Sequence, residues 1–287
     1  MNWPKSLITE IAHRRCIIFL GSGASAASLS LDGAKRPPVW DAFLNKLIAL
    51  IPGNEDSKVI ISDLISKYRY LEAAEVIYEL VPKADYTQFI RDELELPKYQ
   101  ASKIHEIVLD LDPKIVITTN YDKIYDNYCT IGTAADGYNI SKYYDQHLTA
   151  DLRSPIRTII KAHGCVSDPS KVVLTKSQYF KARKDYPNFY KVLDALFLTH
   201  TILFIGYSLN DPDIQLLLEN VNITAPTAHP HYFVMGDGTN EILKKSNKIS
   251  YNLEFIEFPT GNYNELNIGL ADLADKVQKV RETNPLA

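Results

Sequence analysis

The 287-residue sequence has few cysteines, no long apolar run and no excess of positive charge. Its three cysteines, Cys16, Cys129 and Cys165, form no CxxC pair, so they are too few and too scattered for a disulfide framework or a four-thiolate zinc site. There are 31 lysines and arginines against 35 aspartates and glutamates, which disfavours nucleic-acid binding as the main activity. No stretch approaches the about 20 apolar residues that cross a bilayer. These features predict a reduced, cytoplasmic protein that binds neither nucleic acid nor membrane directly.

Short apolar runs rich in β-branched residues predict buried strands, and helical patterns separate several of them. The predicted strands are residues 16–20, 115–119, 158–160, 172–174, 201–205, 232–235 and 253–256. Strands that alternate with helices are typical of α/β proteins. The sequence therefore predicts a Rossmann-like, doubly wound and mostly parallel sheet in a single domain over residues 1–287.

Between the first two predicted strands the apolar spacing is helical from about residue 39 to 111, which predicts a helical insertion of four or five helices over the sheet. A final helix is predicted at about residues 262–283. Its apolar stripe consists of Leu266, Leu270, Leu273, Val277 and Val280. We expect this stripe to pack on the sheet, with an oligomer surface as the alternative.

Ligands of doubly wound sheets lie beyond the carboxyl ends of the strands, so the residues that follow each strand are candidates for a site. Residues 21–26, Gly-Ser-Gly-Ala-Ser-Ala, fit the G-x-G-x-x-G/A pattern, whose glycines let backbone N–H groups approach a pyrophosphate. A strand-to-helix turn without a ligand is the alternative. Asp41 has the spacing of the acid that dinucleotide folds carry, but it lies at a predicted helix start. This is therefore not an ordinary dehydrogenase fingerprint.

Three more polar clusters follow predicted strands. Residues 118–122 bring Asn120 and Asp122 within reach of one ligand, although either residue could instead cap the next helix. His163, in Lys-Ala-His-Gly, is a candidate base because imidazole titrates near neutrality, with a structural histidine as the alternative. Residues 206–213, Gly-Tyr-Ser-Leu-Asn-Asp-Pro-Asp, form a further candidate or an Asx-capped loop.

Taken in order, GSGAS, TTNYD, KAHG and FIGYSLNDPD resemble the sirtuin-like NAD-binding family over about residues 15–258. The sequence is most similar to its bacterial antiphage-defence branch, whose members consume NAD. This resemblance implies an NAD hydrolase that releases nicotinamide and ADP-ribose as the effector of an abortive-infection system. A non-catalytic module that senses NAD or ADP-ribose is one alternative, and a zinc-free deacylase or ADP-ribosyl transferase is another.

The resemblance also implies a role for each motif. The residues implied in contacts with the pyrophosphate, the riboses and the adenosine half of NAD are Gly21, Ser22, Gly23, Ser25, Gly206, Tyr207 and Ser208. Asn120, next to the candidate contact Thr119, would position the nicotinamide ribose or a water. Asp122 would meet the nicotinamide carboxamide, and His163 would be the general base. Trp40 lies in the place of the loop that folds over nicotinamide.

Two departures qualify the resemblance. Protein-deacylating sirtuins carry a zinc ribbon of two CxxC pairs after the catalytic histidine, whereas residues 171–200 contain no cysteine. The resemblance therefore implies NAD as substrate and no metal. These sirtuins also carry Phe-Arg in the nicotinamide-side loop, where this chain has Arg36, two prolines, Val39 and Trp40.

A hydrolase that empties a cell of NAD must be held inactive until it is needed. The α/β pattern occupies almost the whole chain up to the terminal helix. We therefore expect control by assembly, either as a homo-oligomer or with a separate sensor protein such as an ATPase.

Overall fold

A computed structural model describes residues 1–53, 55–130, 137–209, 211–225 and 229–284, and these residues contain seven β-strands. The strands are β1 (Cys16–Leu20), β2 (Ile115–Thr118), β3 (Tyr138–Lys142), β4 (Arg157–Lys161), β5 (Thr201–Ile205), β6 (His231–Gly236) and β7 (Leu253–Phe258). They form one sheet in the order β3-β4-β2-β1-β5-β6-β7, and every neighbouring pair is parallel. The predicted Rossmann-like α/β fold is confirmed.

The described residues also form fourteen α-helices and one 3-10 turn at Pro169–Lys171. The helices before β2 are α1 (Lys5–Ala12), α2 (Ser22–Ala26), α3 (Trp40–Ile48), α4 (Glu55–Ser66), α5 (Tyr70–Leu80), α6 (Lys83–Leu94) and α7 (Lys103–Asp110). The later ones are α8 (Ile124–Thr130), α9 (Leu148–Arg153), α10 (Lys176–Asp185), α11 (Pro187–Thr199), α12 (Pro212–Thr224), α13 (Glu241–Tyr251) and α14 (Tyr263–Thr283). None of the helices in the described ranges combines the length and the apolar character needed to cross a membrane.

One predicted strand is wrong and one observed strand was not predicted. Among the described residues, Val172–Leu174 pairs with no strand. These buried residues follow the 3-10 turn, and the Val173 amide donates to the His163 carbonyl oxygen over 3.0 Å. These residues are apolar because they are buried between two hydrophobic clusters. Val173 belongs to the core beside the sheet, and its two neighbours belong to the core of the insertion. β3 escaped prediction because it is a polar edge strand in which only Ser141 is buried.

The five helices α3 to α7 lie between β1 and β2. Helices α3 to α6 share an apolar cluster that also includes Cys165 and Val166 from the loop after β4. This cluster places the insertion over the carboxyl ends of the central strands. Helix α7 instead packs on one face of the sheet together with α1 and α14.

The apolar stripe of α14 belongs to the core. Leu266, Leu270, Leu273 and Val277 are buried against the sheet, and Val280 packs partly buried beside them. Packing on the sheet is thus confirmed as the role of this stripe, which is not exposed as an oligomer surface.

Candidate functional site

A cavity of about 330 Å³ lies between the carboxyl ends of the central strands and the helical insertion. Nine of the predicted site residues line it: Ser22, Ser25, Trp40, Thr119, Asn120, Asp122, His163, Tyr207 and Ser208. The remaining three, Gly21, Gly23 and Gly206, are not part of the lining and pack against one another behind it. The structure therefore brings together motifs that are separated by up to about 180 residues, as expected for the carboxyl edge of a parallel sheet.

The glycines of the first and last motifs allow two loops to meet backbone to backbone. Gly206 has φ of +63°, and a Cβ at this position would lie well inside contact distance of the Ala24 amide nitrogen. The Gly23 amide donates to the Gly206 carbonyl oxygen over 2.8 Å, and the Gly21 amide donates to that of Ile205 over 3.1 Å. The glycines thus shape the wall of the cavity through their backbone.

Asn120, Ser25 and Asp122 form one hydrogen-bonded network on the cavity floor. The Asn120 Nδ2 donates to the Gly21 carbonyl oxygen over 2.9 Å and lies 3.0 Å from Ser25 Oγ. Ser25 Oγ donates to Asp122 Oδ2 over 2.9 Å, while Asp122 Oδ1 accepts from the Ile124 amide at the start of α8 over 3.0 Å. Asp122 therefore also caps a helix, which was the structural alternative for this motif. The network fixes the Asn120 amide against the glycine turn.

A buried lysine binds the loop that carries Asp122. Lys161, the last residue of β4, donates through Nζ to the Asp122 carbonyl oxygen and lies 3.1 Å from the Asp126 carboxylate. Burial alone would lower the pKa of Lys161, but Asp126 and other nearby groups raise it above its ordinary value. The lysine is therefore a cation that ties the Asp122 loop to the adjacent strand. No motif in the sequence predicts this role for Lys161.

His163 is buried just beyond the end of β4 and has two partners that the sequence does not predict. Its Nδ1 lies 3.4 Å from the Tyr179 hydroxyl, and its Nε2 lies 3.5 Å from Asp211 Oδ2. Tyr179 also donates to Asp211 Oδ2 over 3.2 Å. Tyr179 comes from α10, where no motif marks it. Asp211 lies in the motif of residues 206–213, which the sequence marks as a candidate site or an Asx-capped loop without giving Asp211 a role of its own.

The turn after His163 requires glycine. Gly164 has φ of +85°, and a Cβ there would lie 2.5 Å from the Lys171 carbonyl oxygen. Glycine tolerates this left-handed conformation without a steric penalty. The loop can therefore fold back tightly and hold the imidazole at the cavity.

The late loop and the insertion provide the opposite walls. The Tyr207 ring packs edge-on against Phe19, with 4.9 Å between ring centroids, and Ser208 is exposed. Asn210 of the same motif lies outside the described residues. On the insertion side, the Trp40 ring stacks on Tyr70 at 6.0 Å, and Tyr68 lies edge-on to Tyr70 at 6.1 Å. The two tyrosines were not predicted.

The fixed charges that line the cavity are carboxylates. Asp41, Asp122 and Asp211 line it, and no lysine or arginine is among its described lining residues. Asp41 lies in the first turn of α3, as its position in the sequence predicts. The described ranges contain no group of three potential ligands that could hold a metal ion. Carboxylates around an apolar and aromatic cavity favour a ligand that carries or develops positive charge.

Comparisons with known proteins agree with the motifs. Residues 114–256, from β2 into β7, match the SIR2-like domain family. The chain is 27% identical over 239 residues to "Defense-associated sirtuin 2" of Bacillus subtilis, covering 80% of this chain and 22% of that protein. It is 25% identical over 252 residues to "NAD(+) hydrolase ThsA" of Acinetobacter baumannii, covering 86% and 48%, respectively. The protein of the same name from Enterococcus faecium is 32% identical to the chain over 158 residues, which cover 54% of this chain and 30% of that protein. The chain thus spans less than half the length of these relatives.

Proposed function

Because the chain belongs to the SIR2-like family, we propose that it is an NAD hydrolase, releasing nicotinamide and ADP-ribose as an antiphage effector. The observation that carries this proposal is the convergence of Asn120 and His163 on a cavity whose fixed charges are carboxylates. Relatives named NAD(+) hydrolase and defense-associated sirtuin support the same activity and role.

The chemistry of NAD fits this charge pattern. Nicotinamide in NAD is a cation, so it leaves without being protonated, and cleavage passes through an oxocarbenium-like state. Carboxylates near the ribose, such as Asp122, stabilise the positive charge that develops there. Asn120 positions the ribose or the attacking water, and His163 takes the proton of that water. The oxygen then bonds to the anomeric carbon while the electron pair of the broken bond neutralises the nicotinamide ring.

The remaining lining residues bind the rest of the substrate in this proposal. Ser22 and Ser25 contact the pyrophosphate and the adjacent ribose, while Gly21, Gly23 and Gly206 let the backbone of the two loops come close to it. Tyr207 and Ser208 face the adenosine half. Thr119 flanks the ribose, and Trp40 covers nicotinamide. No metal takes part in any of these steps.

The test is a time course of NAD, nicotinamide and ADP-ribose with the purified chain, alone and with the product of the neighbouring gene. Wild type should produce nicotinamide and ADP-ribose in equal amounts, whereas Asn120→Ala and His163→Ala should slow release about 10²- to 10⁴-fold. Lys181→Ala, on the exposed side of α10, is a control that should retain the wild-type rate. NAD that binds but stays intact in every mixture would contradict hydrolysis and favour the sensing module. Release that requires an added acceptor would favour the transferase.

We propose in addition that assembly controls the activity, through a homo-oligomer or a separate sensor protein such as an ATPase. The reason is physiological, since uncontrolled NAD hydrolysis would deplete the host cell. Light scattering coupled to size exclusion, with activity measured in each peak, tests this. A strict monomer with full activity would refute control by assembly.

A further inference from the structure

We propose that Asp41 and Tyr70 are specificity-determining residues that, together with Trp40, select a ligand ring with a positive charge over an uncharged ring of the same shape. In the proposed hydrolysis this ring is the cationic pyridinium of NAD, and the idea rests on that function for its catalytic meaning. The charge preference itself is a property of the cavity wall and can be measured with a ligand that is not cleaved.

Aromatic rings of the insertion form one wall of the cavity. Trp40 at the start of α3 and Tyr70 at the start of α5 both line it, and their rings stack with 6.0 Å between centroids and 25° between planes. The exposed Tyr68 also lines the cavity and lies edge-on to Tyr70. The faces of such rings are apolar and carry partial negative charge, so they attract a planar ligand and favour one that is a cation.

A carboxylate without a cation partner lies beside these rings. Asp41 lines the cavity next to Trp40, and its Oδ1 accepts from the Ala42 amide over 2.8 Å. Within the described part of the chain Asp41 forms no ion pair, and no lysine or arginine lines the cavity. Burial raises the pKa of Tyr70, and the nearby Asp41 carboxylate raises it further, so the negative charge acts on the aromatic wall. A cationic ring bound here is therefore attracted by the aromatic faces and by Asp41 together.

The other two carboxylates of the cavity have partners of their own. Asp122 accepts from Ser25 Oγ at one oxygen and from a helix amide at the other, and Asp211 lies 3.5 Å from His163. Both follow strands of the sheet, as do the residues of the proposed chemical step. Asp41 comes from the insertion instead, which places its charge at the aromatic wall.

Cleavage removes the charge that this wall recognises. The electron pair of the broken bond neutralises the ring, so the attraction is present in bound NAD and absent in nicotinamide. The wall thus contributes to substrate affinity rather than to the rate of bond breaking, and it favours release of the uncharged product. Asp41→Asn should raise KM for NAD by about 5- to 10-fold without lowering kcat, whereas His163→Ala lowers kcat.

The decisive measurement is an NMR titration of the full chain, followed through the indole N–H resonances of its two tryptophans. The resonance of Trp40 is the one missing from Trp40→Phe. Trp3 is buried and donates through Nε1 to the Gly269 carbonyl oxygen over 2.8 Å, so its resonance reports an intact fold. The probes are the N-methylpyridinium derivative of nicotinamide, which has a permanent charge and no ribose, and m-toluamide, an uncharged molecule of the same shape. We expect wild type to bind the charged probe about tenfold more tightly than m-toluamide.

Two variants test the two parts of the wall. Asp41→Asn keeps an oxygen for the Ala42 amide and should reduce the preference for the charged probe to about twofold, with the affinity for m-toluamide unchanged. Tyr70→Leu should weaken binding of the charged probe by about 3- to 10-fold, while the Trp3 resonance shows that the variant is folded. Asp56→Asn is the matched control, because it removes an exposed first-turn carboxylate of α4 that does not line the cavity, and it should change neither affinity. The wild-type preference should also shrink in about 1 M salt, which screens an exposed charge such as Asp41.

The outcomes separate this idea from the proposed function. Equal affinities of wild type for the two probes, or no binding of the charged probe, would overturn the proposal. A loss in Asp56→Asn as large as that in Asp41→Asn would overturn it as well, and so would an Asp41→Asn enzyme with lowered kcat and unchanged KM. If no mixture releases nicotinamide, the hydrolase proposal fails, while the titration still decides whether the wall selects a charged ring.

Discussion

Gly206 is the residue at which the close approach of the two motif loops is most sensitive to substitution. Its φ of +63° and the adjacent Ala24 amide leave no room for a side chain. Gly206→Ala combines left-handed strain with overpacking, and each of these costs about 1–3 kcal/mol. We expect the free energy of unfolding in urea to fall by about 2–5 kcal/mol.

Gly238→Ala is the matched control for this substitution. Gly238 has φ of +89°, but among the described residues other than its two chain neighbours no atom lies within 4 Å of the position of a Cβ, so only the backbone strain remains. Its expected cost is about 1–2 kcal/mol. Equal losses of unfolding free energy in the two variants would show that the contact between the loops contributes nothing to stability.

Substitution of Lys161 tests whether its buried ion pair with Asp126 stabilises the protein. Lys161→Met leaves the Asp126 carboxylate buried without its cation, and breaking a buried pair in this way costs about 3–5 kcal/mol. Urea denaturation should show this loss. Lys181→Met, which breaks an exposed pair with Asp185, should leave stability unchanged within error. A Lys161→Met protein as stable as wild type would contradict the supporting role.

The sequence predicted site residues where a motif follows a strand. Asn120 and His163 could be placed because parallel strands deliver their carboxyl ends to one edge of the sheet. Tyr179 could not, because it reaches the site from the middle of α10 and its partners are set by tertiary packing. The role of Asp211 was likewise hidden, since one carboxylate oxygen caps α12 and the other faces His163.

Among the strands, the pairing of β5 with β6 includes a buried histidine that makes stability depend on pH. His231 Nδ1 accepts from the Ile202 amide over 3.1 Å, and burial lowers the pKa of His231 to about 4. The unfolded chain binds this proton near pH 6.5, so the folded state loses stability as the pH falls from about 6.5 towards 4.

His231→Asn should remove this contribution, because the Asn oxygen can accept from the Ile202 amide but does not titrate. Between pH 7 and pH 5, we expect wild type to lose about 2 kcal/mol more free energy of unfolding than the variant. His105 and His200, whose pKa values burial also lowers, are present in both proteins and cancel in the comparison. Identical losses in urea titrations at the two pH values would contradict the account.

Helix α14 allows the core and the surface of one element to be compared. Leu270 is fully buried against the sheet, and Leu270→Ala should cost about 2–5 kcal/mol in urea denaturation. Ile268, two residues away, is 54% exposed, and Ile268→Ala should cost less than about 0.5 kcal/mol. The reverse order would mean that the helix presents its other face to the sheet.

Hydrophobic periodicity predicted the strands and helices whose burial is regular. It failed for segments whose burial is irregular. β1 and β5 are continuous apolar runs because both faces of a parallel sheet are covered. β3 lies at an edge and is mostly polar, so it gives no such signal. Residues 172–174 are apolar because they pass between two cores, which a short run cannot distinguish from a strand.

For the molecule as a whole, the cavity joins residues within the span that matches the SIR2-like family to residues that precede this span. Asn120, Asp122 and His163 line the cavity and lie within the residues that match the SIR2-like family. Ser22 and Ser25 of the glycine turn, as well as the insertion, precede the matched residues. The residues of the proposed chemical step therefore lie in the matched part, while the aromatic wall that covers the cavity comes from the insertion.

A single-turnover experiment, with the protein in excess over NAD and with its activating partner where one is required, is the most direct test of NAD hydrolysis at this cavity. Quenched samples are analysed for NAD, nicotinamide and ADP-ribose, comparing wild type with His163→Ala. Wild type is expected to convert the NAD to equal amounts of nicotinamide and ADP-ribose at least about 100 times faster than the variant. Bound NAD that remains intact with wild type, or equal rates for the two proteins, would contradict hydrolysis at this cavity.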